Sequence, residues 1–184
     1  MDNLFKIIAV TPPDFSSEEA DIIIRILKNK EADIVHIRKP GANVSEISQL
    51  LNQIPSEFHP NLKLHDGFEL LNYYNLGGVH LNSRNSKIPA NAVSISKSAH
   101  SYEELKEANE FDYMTLSPIF DSISKREYKS NFNLSELIIK LKPYSNIVAL
   151  GGITPEFFPL LIKTGFAGAA LLGYFFHIDK NNNI

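Results

Sequence analysis

Short apolar runs alternate with longer amphipathic segments along the whole of this chain. Leu4–Val10, Asp33–Arg38, Leu62–Asp66, Gly78–Leu81, Ala92–Ala99, Tyr113–Phe120, Ile147–Leu150 and Ala167–Leu172 read as eight strands. The run Ile147–Leu150 is continuously apolar, the pattern of a parallel strand covered on both faces. Between the runs lie helix signals. Ser16-Ser17-Glu18-Glu19 places a cap and acidic first-turn residues before Ile22–Leu27. Asn43 or Ser45 caps a segment through Leu50–Ile54, which Pro55 ends. Further helices are predicted around Phe68–Asn75, from Ser101 to about Glu110, over Asn133–Leu141, and over Thr154–Thr164 with Pro155 in the first turn.

Eight strands alternating with helices predict an α/β fold, a closed (β/α)8 TIM barrel forming one domain over residues 1–184. Two places are thin. The polar stretch Ser83–Asn91 contains Pro89, so the fourth helix is expected to be irregular. After Phe176 only a short polar tail follows, so the C-terminal helix is expected to be truncated and the barrel compact. Apolar residues near that end, Leu171, Leu172, Tyr174, Phe175 and Phe176, then suggest an uncovered patch and a homo-oligomer. An open doubly wound sheet is the alternative fold; the strand count and the lack of a G-x-G-x-x-G motif count against it.

Composition removes several function classes. The 184 residues carry a net charge of -3, which argues against a nucleic-acid partner. There is no cysteine, so disulfides, thiolate catalysis and cysteine-bound metals are excluded. No apolar run is long enough to span a membrane and no signal-peptide pattern is visible, so a cytoplasmic protein without a membrane partner is expected.

In a parallel barrel, chemistry sits where strands end at the C-terminal face. There the sequence places His36-Ile37-Arg38-Lys39-Pro40, His65-Asp66-Gly67, His80 followed by Asn82-Ser83-Arg84-Asn85, and Ser96-Lys97-Ser98-Ala99-His100. Next come the loop from Ser117 to Lys125, then Gly151-Gly152, then Leu172-Gly173. His36 and Arg38 share one side of their strand if Val35 and Ile37 face the helices. Gly151 and Gly152 let backbone N–H groups approach an anion, although a plain strand–helix turn explains the same pair. Asp66 reads either as a metal ligand or as a helix cap, and His80 either as a ligand contact or as a hydrogen-bonded core residue. His59 and His177 lie outside the motif ends.

Taken in order, Val35-His36-Ile37-Arg38, Leu64-His65-Asp66, Gly78-Val79-His80-Leu81, Ser98-Ala99-His100, Asp112-Tyr113, Ser117-Pro118-Ile119-Phe120 to Lys125, and Gly151-Gly152-Ile153-Thr154-Pro155 resemble the thiamin phosphate synthase family, which includes the TenI-type thiazole tautomerases. The resemblance implies a barrel that joins an aminopyrimidine pyrophosphate to a hydroxyethylthiazole phosphate, or one that isomerises the thiazole. It implies that Ser122 and Ser124, with amides at Gly152, Leu172 and Gly173, hold the thiazole phosphate, and that Lys125 lies between the two ligands. On the pyrophosphate side it implies Arg38 and Ser98 as phosphate contacts and Asp66 as a Mg2+ ligand, with Asn85 as a weaker one.

Departures from the family pattern gather on the pyrophosphate side. His36 stands where the synthase pattern has glutamine, His65 where it has asparagine, Pro40 where it has lysine (with Lys39 adjacent), Gly67 where it has arginine, and Asn85 where it has a second carboxylate. The tautomerase branch carries its acid/base histidine where this chain has Pro118. The expectation ranks a thiazole tautomerase first, with His36 as acid/base and no cofactor. A synthase with Mg2+, Arg38, Asp66 and Lys125 ranks second. An inactive thiazole-phosphate-binding or regulatory protein ranks third.

Overall fold

A computed structural model describes residues 5–120 and 132–176 of the chain. The eight strands are β1 (Lys6–Val10), β2 (Ile34–Ile37), β3 (Leu62–Leu64), β4 (Gly78–Leu81), β5 (Ile95–Ala99), β6 (Tyr113–Leu116), β7 (Ile147–Leu150) and β8 (Gly168–Leu171). All neighbours pair in parallel, and the order closes on itself, β8 returning to β1 through Lys6↔Gly168 to Ala9↔Leu171. The expected (β/α)8 barrel is the fold.

Side-chain alternation builds two layers from each strand. Val35 and Ile37 of β2 join Ala9, Leu62 and Leu64 in an apolar layer beneath α1 (Glu19–Lys28) and α2 (Val44–Asn52). Met114, Leu116, Ile147, Ala149 and Ala169 form the matching layer beneath α3 (Leu134–Lys140) and α4 (Phe158–Thr164). The intervening positions point into the lumen. Ile8, Val10, Tyr113, Val148 and Ala170 fill one side of it, with Ile34 and Leu150 packed against them.

Local chemistry explains the element ends. Asn43, not Ser45, caps α2: its side chain accepts from the Glu46 N–H and its own N–H donates to Glu46, each at 2.9 Å. The serines ahead of α1 do not cap it, and Glu18 occupies the cap position without a side-chain bond. β6 stops at Leu116, earlier than expected, because Pro118 has no N–H for the ladder.

Two predicted α-helices are instead 3₁₀ segments, Phe68–Asn72 and Glu104–Glu110. Gly67, in the left-handed region, starts the first, and the weak helix formers Asn72, Tyr73 and Tyr74 follow its apolar pair. Residues from Ser83 to Asn91 form no helix, as expected. A further 3₁₀ segment, Ser56–Asn61, carries no strong helix signal in its sequence. The expectation of a truncated final helix concerns residues 177–184, outside the described residues. Leu171 and Phe176 are buried and Phe175 packs on both outer layers, so only Leu172 and Tyr174 of the five end residues are exposed. Among the described residues the apolar patch at this end thus reduces to Leu172 and Tyr174. No described helix is long and apolar enough to cross a membrane.

Candidate functional site

The β2, β3 and β4 ends bring Arg38, Asp66, Arg84 and Asn85 together at the barrel mouth. Arg38 follows directly on β2, and its N–H donates to Thr11 Oγ1 after β1. Asp66 follows β3 by two residues. The Arg84 guanidinium lies 3.4 Å from both Asp66 carboxylate oxygens, and Asn85 Nδ2 donates to Asp66 Oδ1 at 2.8 Å and to the His65 carbonyl at 2.9 Å. Asn82 organises this loop, accepting from the N–H groups of Arg84 and Asn85. Burial lowers the Arg38 pKa, the neighbouring Arg84 lowers it further, and Asp66 acts in the opposite direction. Two guanidiniums and one carboxylate thus share the rim, leaving an excess positive charge suited to a polyanion.

Sequence alone does not mark Arg84 as a site residue. The signal was its place one turn after a strand end, but a lone arginine in a polar loop reads as solvated. Lys39 goes the other way. It stood next to the missing lysine at position 40, yet it is completely buried. Its Nζ donates to the carbonyls of Pro12 and Asp14 at 2.9 and 2.8 Å and pairs with Glu19 at 2.7 Å. With its protons spent on the β1 loop and α1, Lys39 is a structural clamp and not a phosphate ligand.

Below the rim, the lumen side built by β2 to β5 is polar. His36 Nδ1 lies 2.9 Å from His65 Nε2, and His36 Nε2 lies 2.5 Å from the Tyr113 hydroxyl. His80 bonds Ser96 Oγ through Nδ1 at 2.9 Å and Ser98 Oγ through Nε2 at 2.8 Å. Lys63, deeper still, donates to Ser94 Oγ and lies over the Tyr113 ring. Burial holds all three imidazoles below the usual histidine pKa, His80 at about 3, with their mutual proximity and nearby Lys63 adding to the effect. His36 is 1% exposed, so the proposed acid/base sits inside the barrel with both ring nitrogens engaged. His100 is exposed and bonds Ser117, while His59 binds the carbonyls of Leu51 and Ile54 in the outer layer.

Among the described residues, the opposite rim is uncharged. Leu150 pairs in register with Ala170, so Gly152 and Leu172 leave adjacent strands at the same height, with Gly173 next. Gly151 and Gly152 have φ of 98° and 64°, values that glycine adopts freely. A Cβ at Gly151 would come within 2.9 Å of Pro118 Cα, so the turn is packed against the β6 loop. The expected phosphate ligands Ser122 and Ser124 and the expected cation Lys125 lie outside the described residues.

Mg2+ at the charged rim can be tested against the donors present. Among the described residues, Asp66 Oδ2 has only the 3.4 Å Arg84 contact, which fits a metal held chiefly by substrate phosphates. Asn85 does not fit as a second ligand, because its amide N–H2 faces Asp66 and the His65 carbonyl.

A closed parallel barrel with its polar residues gathered at the C-terminal mouth is the architecture of a barrel enzyme. Residues 7–174 match the TMP-TENI family, thiamine monophosphate synthase, and the chain belongs to that family. It is 23% identical over 193 residues to the thiamine-phosphate synthase of Pediococcus pentosaceus, covering 94% of this chain and 89% of that protein. The thiamine-phosphate synthase of Vibrio campbellii is 26% identical over 191 residues, covering 96% of this chain and 93% of the relative. Among solved structures, thiamine phosphate pyrophosphorylase from Bacteroides thetaiotaomicron superposes with a TM-score of 0.81 at 35% identity, over 92% of this chain and 83% of that one. These relatives carry the synthase name, which favours the second-ranked reading over the tautomerase ranked first.

Proposed function

We propose that this protein is a thiamine-phosphate synthase, joining an aminopyrimidine pyrophosphate to a thiazole phosphate with release of pyrophosphate. The observation that carries the reading is the Arg38–Asp66–Arg84 rim over β2 to β4, set across the mouth from the glycine amides over β7 and β8. One side suits a pyrophosphate leaving group with its several negative charges; the other suits a single phosphate monoester, which amides bind without net charge. The synthase relatives support the same assignment.

In this reading Arg38 and Arg84 orient the pyrophosphate and stabilise its charge as it leaves. Ser98, fixed by His80, adds a hydroxyl to the same group. Asp66, together with phosphate oxygens of the substrate, would hold Mg2+, which would supply further neutralisation of the departing charge. Gly152, Leu172 and Gly173 offer amides to the thiazole phosphate; the family resemblance would add Ser122, Ser124 and Lys125, which lie outside the described residues. The tautomerase reading loses its support: His36 is enclosed and held neutral, and position 118 is a proline.

Incubating the purified protein with both substrates and Mg2+ should yield thiamin phosphate and stoichiometric pyrophosphate. Arg38→Ala should raise the KM for the pyrophosphate substrate while leaving thiazole-phosphate binding unchanged. Isomerisation of the thiazole alone, with no coupling of the two substrates, would refute the synthase assignment.

A further inference from the structure

We propose that the barrel lumen beneath the mouth is a site for a divalent transition-metal ion of the Zn2+ class, ligated by His36, His65 and His80. One ring nitrogen from each of these residues lies within 4.8 Å of the other two. They come from three adjacent strands or strand ends, so the backbone ladder fixes their spacing. Their exposures are 1%, 7% and 1%, so the rings meet in a closed space and not on a solvated surface.

The interior of a small parallel barrel is ordinarily filled by branched apolar side chains. Here the side facing β1, β7 and β8 keeps to that rule and the histidine side does not. Three clustered imidazoles are costly to bury unless their lone pairs find partners. In the metal-free protein hydrogen bonds supply those partners. His36 and His65 use each other, one ring nitrogen donating its proton and the other accepting it across 2.9 Å. A metal placed between those nitrogens takes both lone pairs at once.

Ligand chemistry favours such an ion. Neutral imidazole is the ligating form, and burial holds all three rings neutral. Imidazole nitrogen suits Zn2+, Co2+ or Ni2+, whereas Mg2+ takes oxygen. The outer partners of a histidine metal site are also in place. Tyr113 Oη stands 2.5 Å from His36 Nε2, and the Ser96 and Ser98 hydroxyls stand at the two nitrogens of His80. With His36 Nε2–H donating to Tyr113, Nδ1 is free to ligate; either His80 nitrogen can ligate while the other keeps its serine. No net proton change is required, because the tautomer shift moves the proton within the ring. Three nitrogen ligands leave a fourth position for water or an anion oxygen. This site is distinct from the oxygen-lined rim at Asp66 and does not depend on the synthase assignment.

The test uses Co2+ as a spectroscopic probe and Zn2+ by calorimetry on the full chain. One equivalent of Co2+ should give the intense visible bands of a tetrahedral nitrogen site, displaced by one equivalent of Zn2+. X-ray absorption of the Zn2+-loaded wild type should show imidazole scattering from three rings, a measurement that needs no variant. His65→Asn and His80→Gln, each verified as folded by circular dichroism, should lose the bands, while Asp66→Asn should keep them. Tyr113→Phe should weaken Zn2+ affinity by about tenfold, as loss of an outer partner does. Absence of stoichiometric binding to the wild type would overturn the proposal. So would bands that survive in folded His65→Asn and His80→Gln, or that vanish in Asp66→Asn.

Discussion

On the β1, β7 and β8 side the lumen is filled by Ile8, Val10, Val148 and Ala170, whereas on the β2 to β5 side it is filled by His36, Lys63, His65, His80 and Ser96. Both sides are equally buried, so burial alone does not distinguish them. What differs is the kind of energy that holds them. The apolar side is stabilised by area removed from water and by close packing. The polar side depends on hydrogen bonds that must all be made, since each unsatisfied group there costs about 1–3 kcal/mol. The same division continues to the rim above: charged residues crown the polar side, and glycine amides crown the apolar one. A barrel closed by one continuous ladder therefore holds two different solvents, one for each half of its chemistry.

The strongest test of this contrast lies at the edge of the polar side, in the buried Lys39–Glu19 pair. Burial raises the Glu19 pKa and lowers that of Lys39, each opposed by the partner, so desolvation outweighs attraction. Lys39→Met should cost about 3–5 kcal/mol by leaving Glu19 uncompensated, while Lys39→Met with Glu19→Leu should recover most of it. Urea unfolding measures both. A Lys39→Met protein of unchanged stability that bound pyrophosphate more weakly would return Lys39 to the site.

On the apolar side, Ile8→Ala should cost about 3 kcal/mol, through lost burial and the cavity left behind. That cost should be the same at pH 5 and pH 7.5. The histidine side of the metal-free protein should behave differently. Its folded pKa values lie below the unfolded value of about 6.5, so the unfolded chain takes up more protons below that pH and stability falls as the pH falls. The loss begins near the unfolded pKa and continues toward the folded values, about 3 for His80. Each imidazole contributes a slope approaching about 1.4 kcal/mol per pH unit. Unfolding midpoints measured from pH 7.5 to pH 5 should show this slope, and the His36→Gln, His65→Asn double variant should flatten it. A slope unchanged in that variant would mean that the histidine side is not what makes the fold acid-sensitive.

At the two rims the expected effects on stability are smaller and those on binding more specific. Gly152→Leu forces a left-handed backbone on a branched side chain, costing about 1–3 kcal/mol. Calorimetry should show its thiazole-phosphate binding lost. Arg84→Ala removes a half-exposed ion pair at 3.4 Å and should change stability by no more than about 1 kcal/mol. Its KM for the pyrophosphate substrate should nonetheless rise. If Arg84→Ala left that KM untouched, the charged rim would reduce to Arg38 alone.

Strand and helix order was determined by sequence because it rests on local periodicity. Gly78–Leu81 and Ile147–Leu150 match the observed strands residue for residue, and the Pro89 stretch is irregular as read. Residue type and strand end likewise placed Arg38 and Asp66 at the mouth, and the glycine pair at the β7 turn. The tertiary structure decided everything that depends on which way a side chain turns after its strand ends. Lys39 and Arg38 are neighbours, yet one is sealed against Glu19 and the other faces the rim, because alternation sends consecutive residues to opposite layers. Arg84 became a site residue only when β3 and β4 paired and set it against Asp66. His36, His65 and His80 are separated by 28 and 14 intervening residues respectively and form a cluster only because three parallel strands share one register. Sequence carries the period of each strand; the lateral distance between strands arises only when the barrel closes.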